Sequence, residues 1–135
     1  METTMYVGTQ FTIYLVNQSG VLAKIMGSLA AAKVNVAALA LMDSGEHGAL
    51  RIFCDDATAA RNVLGKSSER WTETDVLILE LANRPGSFAE ASGKLAAAGV
   101  DIHYAYFSGG RDSERTVAVF KVADPTKAKQ ALAEA

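Results

Sequence analysis

The chain has one cysteine, Cys54, and two histidines, His47 and His103, in 135 residues. A lone cysteine excludes an internal disulfide and fits a reducing cytoplasm. Three such residues, far apart in sequence, give no metal-ligand spacing, so neither a metal nor another cofactor is expected. Positive charge is thin as well. The 13 basic residues are scattered among 15 acidic ones, for a net charge of −2. Without a basic stripe to track a phosphate backbone, nucleic acid is excluded as a partner. No apolar run reaches the roughly 18 residues of a membrane span. The opening Met-Glu-Thr-Thr carries an acid and no basic segment, so no signal peptide is expected. Together these absences predict a cytoplasmic protein with no membrane partner.

What is present is a repeat. Residues 17–22 read Asn-Gln-Ser-Gly-Val-Leu, and residues 83–88 read Asn-Arg-Pro-Gly-Ser-Phe. The offset is 83 − 17 = 66 residues. Each copy follows a strand-like apolar run and opens an alanine-rich helical pattern. Apolar content of 50% and charged content of 21% are ordinary for a globular chain. Two repeats are therefore expected, over residues 1–68 and 69–135. A unit of that size buries only about 60% of its unfolded surface and is marginal alone.

Residue patterns place the elements. Residues 11–16 are β-branched and aromatic, which predicts a strand. Val21, Leu22, Ile25, Met26 and Leu29 recur at helical spacing, predicting a helix to about Lys33. Strands are predicted at 34–43 and 49–54, joined by a hairpin turn from Ser44 to Gly48. Asp55-Asp56 can cap a second helix carrying Ala60, Val63 and Leu64. The second half repeats the order: a strand at 76–81, a helix at 88–98 ended by Gly99, and strands at 100–107 and 115–122. A last helix starts at Asp124-Pro125. Residues 5–9 align with 71–75 at the same offset. Residues 69–75 are therefore expected to complete the first repeat, and residues 3–8 the second. Trp71 is expected in the core. Tyr104 and Tyr106 are expected on one side of a sheet.

A strand–helix–strand–strand–helix order with a strand–Asn-x-x-Gly–helix turn resembles the ACT domain. This is a family of small regulatory modules that bind amino acids and related ligands. The matching residues are Val16 to Leu22, Ala82 to Phe88, Lys33-Val34-Asn35-Val36 and Gly99-Val100-Asp101-Ile102. The resemblance implies an α+β fold of two ferredoxin-like βαββαβ repeats. It further implies antiparallel sheets, helices on one face and, with the offset above, exchanged fourth strands. It also implies that modules pair, as in a homodimer, so that the turn of one faces the second strand of another. Ligand would sit at that junction. The ligand-binding residues it points to are Asn17, Gln18, Ser19, Gly20, Val21 and Leu22, with Asn83, Arg84, Pro85, Gly86, Ser87 and Phe88.

The chemistry of such a turn suits a free amino acid. Glycine before a helix lets backbone approach a ligand without a Cβ in the way. The first helical amides are unpaired, and the helix dipole favours an anion there. Asn17 and Asn83 each carry a donor and an acceptor. Val21, Leu22 and Phe88 offer an apolar wall, and Arg84 adds a cation to the second turn alone. Asn and Gly are equally ordinary turn residues, so the residues by themselves also fit a repeated turn with no ligand.

Catalytic groupings are missing. Cys54 sits in an apolar-alternating strand and reads as a buried small hydrophobe. His47 lies in a turn and His103 on a strand. Ser108-Gly109-Gly110 matches no phosphate-binding pattern. The expected function is a non-catalytic sensor acting on a regulated protein partner. The alternative is an interaction module that works through its sheet edges without a small ligand.

Overall fold

The structure, a computed structural model, describes residues 4–16, 18–44 and 47–134. The elements are β1 (Thr4–Val16), α1 (Val21–Ala31), β2 (Val36–Ser44), β3 (His47–Cys54) and α2 (Ala57–Gly65). They continue as β4 (Arg70–Ala82), α3 (Ser87–Ala97), β5 (Ile102–Ser108), β6 (Arg115–Val122) and α4 (Pro125–Glu134). The predicted order is reproduced. The first strand of each half is longer than its apolar run, because the polar alternating segments before residues 11 and 76 belong to the same strands. Part of the predicted hairpin turn, Gly45 and Glu46, lies outside the described residues.

The chain divides into two compact units. One is Thr9–Thr74, and the other joins Met1–Gly8 to Asp75–Ala135. The division falls inside β1 and inside β4, so each of these strands contributes to both units.

In the Thr9–Thr74 unit the strand order is β2-β3-β1-β4. Pairing is antiparallel, with Ile13 opposite Leu50 and Leu41 also opposite Leu50 on its other side. Strand alternation sends Phe11, Ile13 and Leu15 to one face, with Leu50, Ile52 and Cys54 beside them. That face is covered by Ile25 and Leu29 of α1 and by Ala60 and Leu64 of α2. Trp71, at the start of β4, packs edge-on against Phe11 with ring centroids 5.9 Å apart. Arg61 of α2 grips Glu73 through two hydrogen bonds of 2.8 Å. Residues 70–74 are thus the fourth-strand segment of this unit.

The second unit has the same arrangement in the order β5-β6-β4-β1. Leu79 stands opposite Ala118, and Ala105 opposite Phe120. Leu77, Leu79 and Leu81 of β4, with Ala118, Phe120 and Val122 of β6, meet Ala91 and Leu95 of α3 and Ala128 and Leu132 of α4. Met5 packs on this core, so the beginning of β1 supplies the fourth-strand segment here. Thr3, the first residue of the expected segment, lies outside the described residues. Each unit is therefore a ferredoxin-like βαββαβ fold with helices on one sheet face, and the fourth strands are exchanged.

Helix ends follow local chemistry. α1 stops at Ala31, two residues short of the predicted Lys33. Lys33 takes φ 61°, and its amide bonds to the Ala30 carbonyl while Val34 bonds back to Leu29. Gly99 does the same after α3 at φ 74°, with Val100 bonded to Leu95. A left-handed residue closing the helix in this way satisfies its last carbonyls.

Candidate functional site

The described backbone bonds of the two Asn-x-x-Gly turns, from residue 18 and from residue 84 onward, match. In the first, the Gln18 amide donates to the Val16 carbonyl at 2.8 Å and the Val21 amide to the Gln18 carbonyl at 3.4 Å. In the second, Arg84 donates to Ala82 at 3.0 Å and Ser87 to Arg84 at 3.3 Å. Gly20 and Gly86 both hold φ 89°. That places glycine at the third position of a type II turn, where a positive φ is required. Pro85 occupies the second position, which proline suits, and Ser19 is its counterpart. A Cβ added to either glycine would meet no protein atom. The glycines answer to their backbone angle, and the space outside each turn is open.

Helix capping separates the four helices into two kinds. α2 is capped by Asp56, whose carboxylate accepts from the Ala59 amide at 3.0 Å. α4 is capped by Asp124, which accepts from Lys127 at 3.1 Å. α1 and α3 begin instead at Gly20 and Gly86, with no side-chain cap. The Val21 and Ser87 amides are taken by the turn carbonyls, and the amides after them carry the positive end of the helix dipole with no N-cap side chain to accept from them.

Asn17 lies outside the described residues. Asn83 is described, and its carboxamide nitrogen donates to the Gly110 carbonyl at 3.0 Å and the Ser113 carbonyl at 2.8 Å. Its backbone amide donates to the Glu114 carbonyl at 2.9 Å. The donor side of Asn83 therefore anchors the turn to the β5–β6 hairpin. Gly109 is closely approached in this hairpin, since a Cβ there would come within 2.8 Å of Thr116 Cγ2.

The flanks of the two turns differ. Val21 and Leu22 are half-buried against the core of their unit. Phe88 stacks on Phe107 with centroids 5.2 Å apart and on Phe120 at 5.3 Å. Phe107 is 55% exposed, so the second turn carries an aromatic flank that sequence reasoning missed. The signal was available in strand parity, since residue 107 shares a sheet face with residue 105, opposite Phe120. Tyr104 and Tyr106 point to the other face, paired with Lys121 and Val119 as alternation predicted. Arg84 is exposed, 3.5 Å from Glu90. The Ser87 hydroxyl is buried with no hydrogen-bond partner.

Two cavities lie along the helices. One of about 90 Å³ is lined by Arg84, Ser87, Glu90 and Leu132, within the second unit. A larger one of about 670 Å³ lies between α1 and α2 at Ser28, Asn62 and Lys66, and none of residues 18–22 lines it. Cys54 is buried, and burial first, then the neighbouring Asp55 charge, push its thiol up to about 11. A thiol of that kind is a core residue, not a nucleophile.

Comparison with known proteins settles the family. The model of the ACT domain pair matches residues 5–135. The chain belongs to the ACT domain family. Among solved structures, this ACT pair is similar to a protein from Bacteroides thetaiotaomicron, with 29% identity and a TM-score of 0.85, over 96% of this chain and 89% of the other. It also resembles the regulatory subunit of aspartate kinase from Thermus thermophilus in its ligand-free form. That match has 16% identity and a TM-score of 0.70, over 98% of this chain and 95% of the other. E. coli aspartokinase III, solved in complex with lysine and aspartate, matches at 17% identity and a TM-score of 0.60. There the ACT pair covers 99% of itself and 32% of the enzyme chain. At 16 and 17% identity the two kinase likenesses establish the shared fold. No curated protein matches the chain. No helix among the described residues is long and apolar enough to cross a membrane.

Proposed function

We propose that the chain is a non-catalytic regulatory protein whose glycine turns bind a free amino acid at junctions between ACT modules. The observation that carries this reading is the capping contrast. Asp56 and Asp124 close α2 and α4, while α1 and α3 are left open at Gly20 and Gly86. A carboxylate is the natural acceptor for such amides. The carboxamide oxygen of Asn83 is an acceptor that suits the ammonium of the same ligand, and Phe88 with Phe107 suits an apolar flank. Gln18, Ser19, Gly20, Val21 and Leu22 form the corresponding turn in the other unit, and Asn17 is proposed to act with them. The aspartokinase solved with lysine and aspartate supports an amino acid as the ligand class.

Regulation follows if ligand bridges two modules, because bridging favours one arrangement over others. A second copy of the chain is the partner proposed for that bridge. β2 stands at the end of the strand order and exposes Leu39 and Leu41, 42% and 48% accessible. Those leucines also favour the rival reading, a module that pairs with another protein through its sheet edge and needs no ligand. Output to a regulated protein partner in the cytoplasm completes the proposal.

A thermal-shift screen of the common amino acids and of nucleotides on wild type, Asn17→Ala and Asn83→Ala tests it. Stabilisation by an amino acid, weakened in one variant, is expected. Stabilisation by nucleotides alone, or by no small molecule, would sink the amino-acid reading.

A further inference from the structure

The cavity of about 670 Å³ between α1 and α2 lies wholly within the Thr9–Thr74 unit. Its size falls in the range of about 300–1,000 Å³ that holds small molecules. The repeat explains why it is open. α1 and α3 match at the offset of 66, and α2 and α4 at 68, since 124 − 56 = 68 for their capping aspartates. Ser28 and Ala59 line the cavity. Their counterparts in the second unit are Lys94 and Lys127. Short side chains thus leave space between the first two helices, where the second pair carries long ones. The cavity beside α3, which Lys94 lines, has only about 90 Å³.

The lining has the make-up of a site for an anion with an apolar body. Buried Ile25 and Leu64, with half-buried Val63, give it an apolar floor. Lys24 and Lys66 supply cations, and Glu69 a single carboxylate. Among the described residues neither lysine makes an ion pair, and the Asn62 carboxamide makes no hydrogen bond. At the positions of Lys24 and Lys66 the second unit has Glu90 and Glu134, so the cations belong to the first unit alone. The segment that carries Lys66 is fixed by its own bonds. The Lys66 amide donates to the Val63 carbonyl at 3.1 Å and the Ser67 amide to the Leu64 carbonyl at 3.0 Å. The Glu69 amide then donates to the Ser67 hydroxyl at 3.0 Å.

We propose that the α1–α2 cavity binds a small organic carboxylate with an apolar body and no ammonium group. The body covers Ile25, Val63 and Leu64. The carboxylate engages Lys24 and Lys66, and Asn62 offers a further donor. Two lysines less Glu69 leave one net positive charge in the lining, which a single carboxylate balances. A free amino acid is disfavoured, because its ammonium would stand against the same lysines. The inference goes beyond the amino-acid reading and does not depend on it, since none of residues 18–22 lines the cavity.

Octanoate, octanol and octylammonium share a chain length and differ in the charge of the head. Each is titrated into the isotope-labelled full chain, and the amide shifts are followed. Octanoate is expected to move the Ser28, Asn62 and Lys66 amides saturably. It should bind about tenfold tighter than octanol, the worth of two exposed charge contacts, and octylammonium should bind weakest. Hexanoate should bind about tenfold more weakly than octanoate, for two CH₂ groups fewer. With Lys24→Gln and Lys66→Gln combined, octanoate should fall to the level of octanol while the melting temperature holds. Ser28→Gln puts a longer neutral side chain into the space and should weaken octanoate and octanol alike. Octanoate binding no tighter than octanol, or a preference for octanoate that survives loss of both lysines, overturns the inference. So do octanoate shifts gathered at residues 20–23 and 86–89, which would put the anion at the helix starts and leave the amino-acid reading standing.

Discussion

The carboxamide nitrogen of Asn83 donates to the Ser113 carbonyl at 2.8 Å, across 30 residues of chain. The same nitrogen reaches Gly110 at 3.0 Å. One side chain thus ties the glycine turn before α3 to the hairpin between β5 and β6. That hairpin is the one longer by two residues than its counterpart, as 124 − 56 = 68 against the offset of 66 shows.

Removing this tie should loosen both turn and hairpin. Asn83→Ala is expected to cost about 1 kcal/mol, a few degrees in melting temperature. Asn83→Asp should cost more at neutral pH, because a carboxylate cannot donate and would face two carbonyls. Melting curves in the order wild type, Ala, Asp would agree. Equal melting of all three would show that the tie carries no stability.

Lys33 offers a gain. It holds φ 61° where Gly99 fills the matching position at φ 74°. A non-glycine residue in the left-handed region costs roughly 1–2 kcal/mol. Lys33→Gly should therefore raise stability by up to about 1 kcal/mol after glycine's extra unfolded entropy is subtracted. Chemical denaturation with an unchanged slope and a higher midpoint is the expected result. A lower midpoint would contradict it.

Arg61 and Glu73 set a pH dependence. The hydrogen bonds from Arg61 hold the Glu73 carboxyl below its usual value, burial works against them, and the Arg61 charge adds a smaller lowering. A depressed folded value means the pair stabilises the fold above the unfolded pKa, near about 4.3, and that this is lost as pH falls through the folded value. Wild type should melt above Glu73→Gln at neutral pH, with a margin that shrinks as pH drops below about 4.3. Both side chains are about two-fifths exposed, so added salt should shrink the margin too. A margin constant with pH would show that the ion pair is not its source.

Cys54 should be inert in the native state. With its thiol pushed up to about 11, roughly one in a thousand is ionised at pH 8, and it is 3% exposed. A thiol-specific reagent should label it only after unfolding. Rapid native labelling would contradict its place in the core.

Much of this was legible in the residues. The exchange of fourth strands followed from a single alignment at the offset of 66, residues 5–9 against 71–75, which puts a strand-like segment ahead of each apolar run. Asp56 and Asp124 announced their helix starts through capping chemistry that is local. Long-range facts were hidden. Nothing near Asn83 indicates that its donors are spent on Gly110 and Ser113. Ser87 reads as an ordinary residue of a first helical turn, and only the packed structure shows its hydroxyl unpaired. Phe107 was obscured by a strand of alternating aromatics, where strand pairing decides which ring meets Phe88.

The most direct test of the account is an amide correlation NMR titration of the isotope-labelled full chain with free amino acids. The account predicts that the largest shifts gather at the uncapped helix starts, residues 20–23 and 86–89. Shifts gathered instead around Ser28, Asn62 and Lys66, or no shifts with any amino acid, would contradict it.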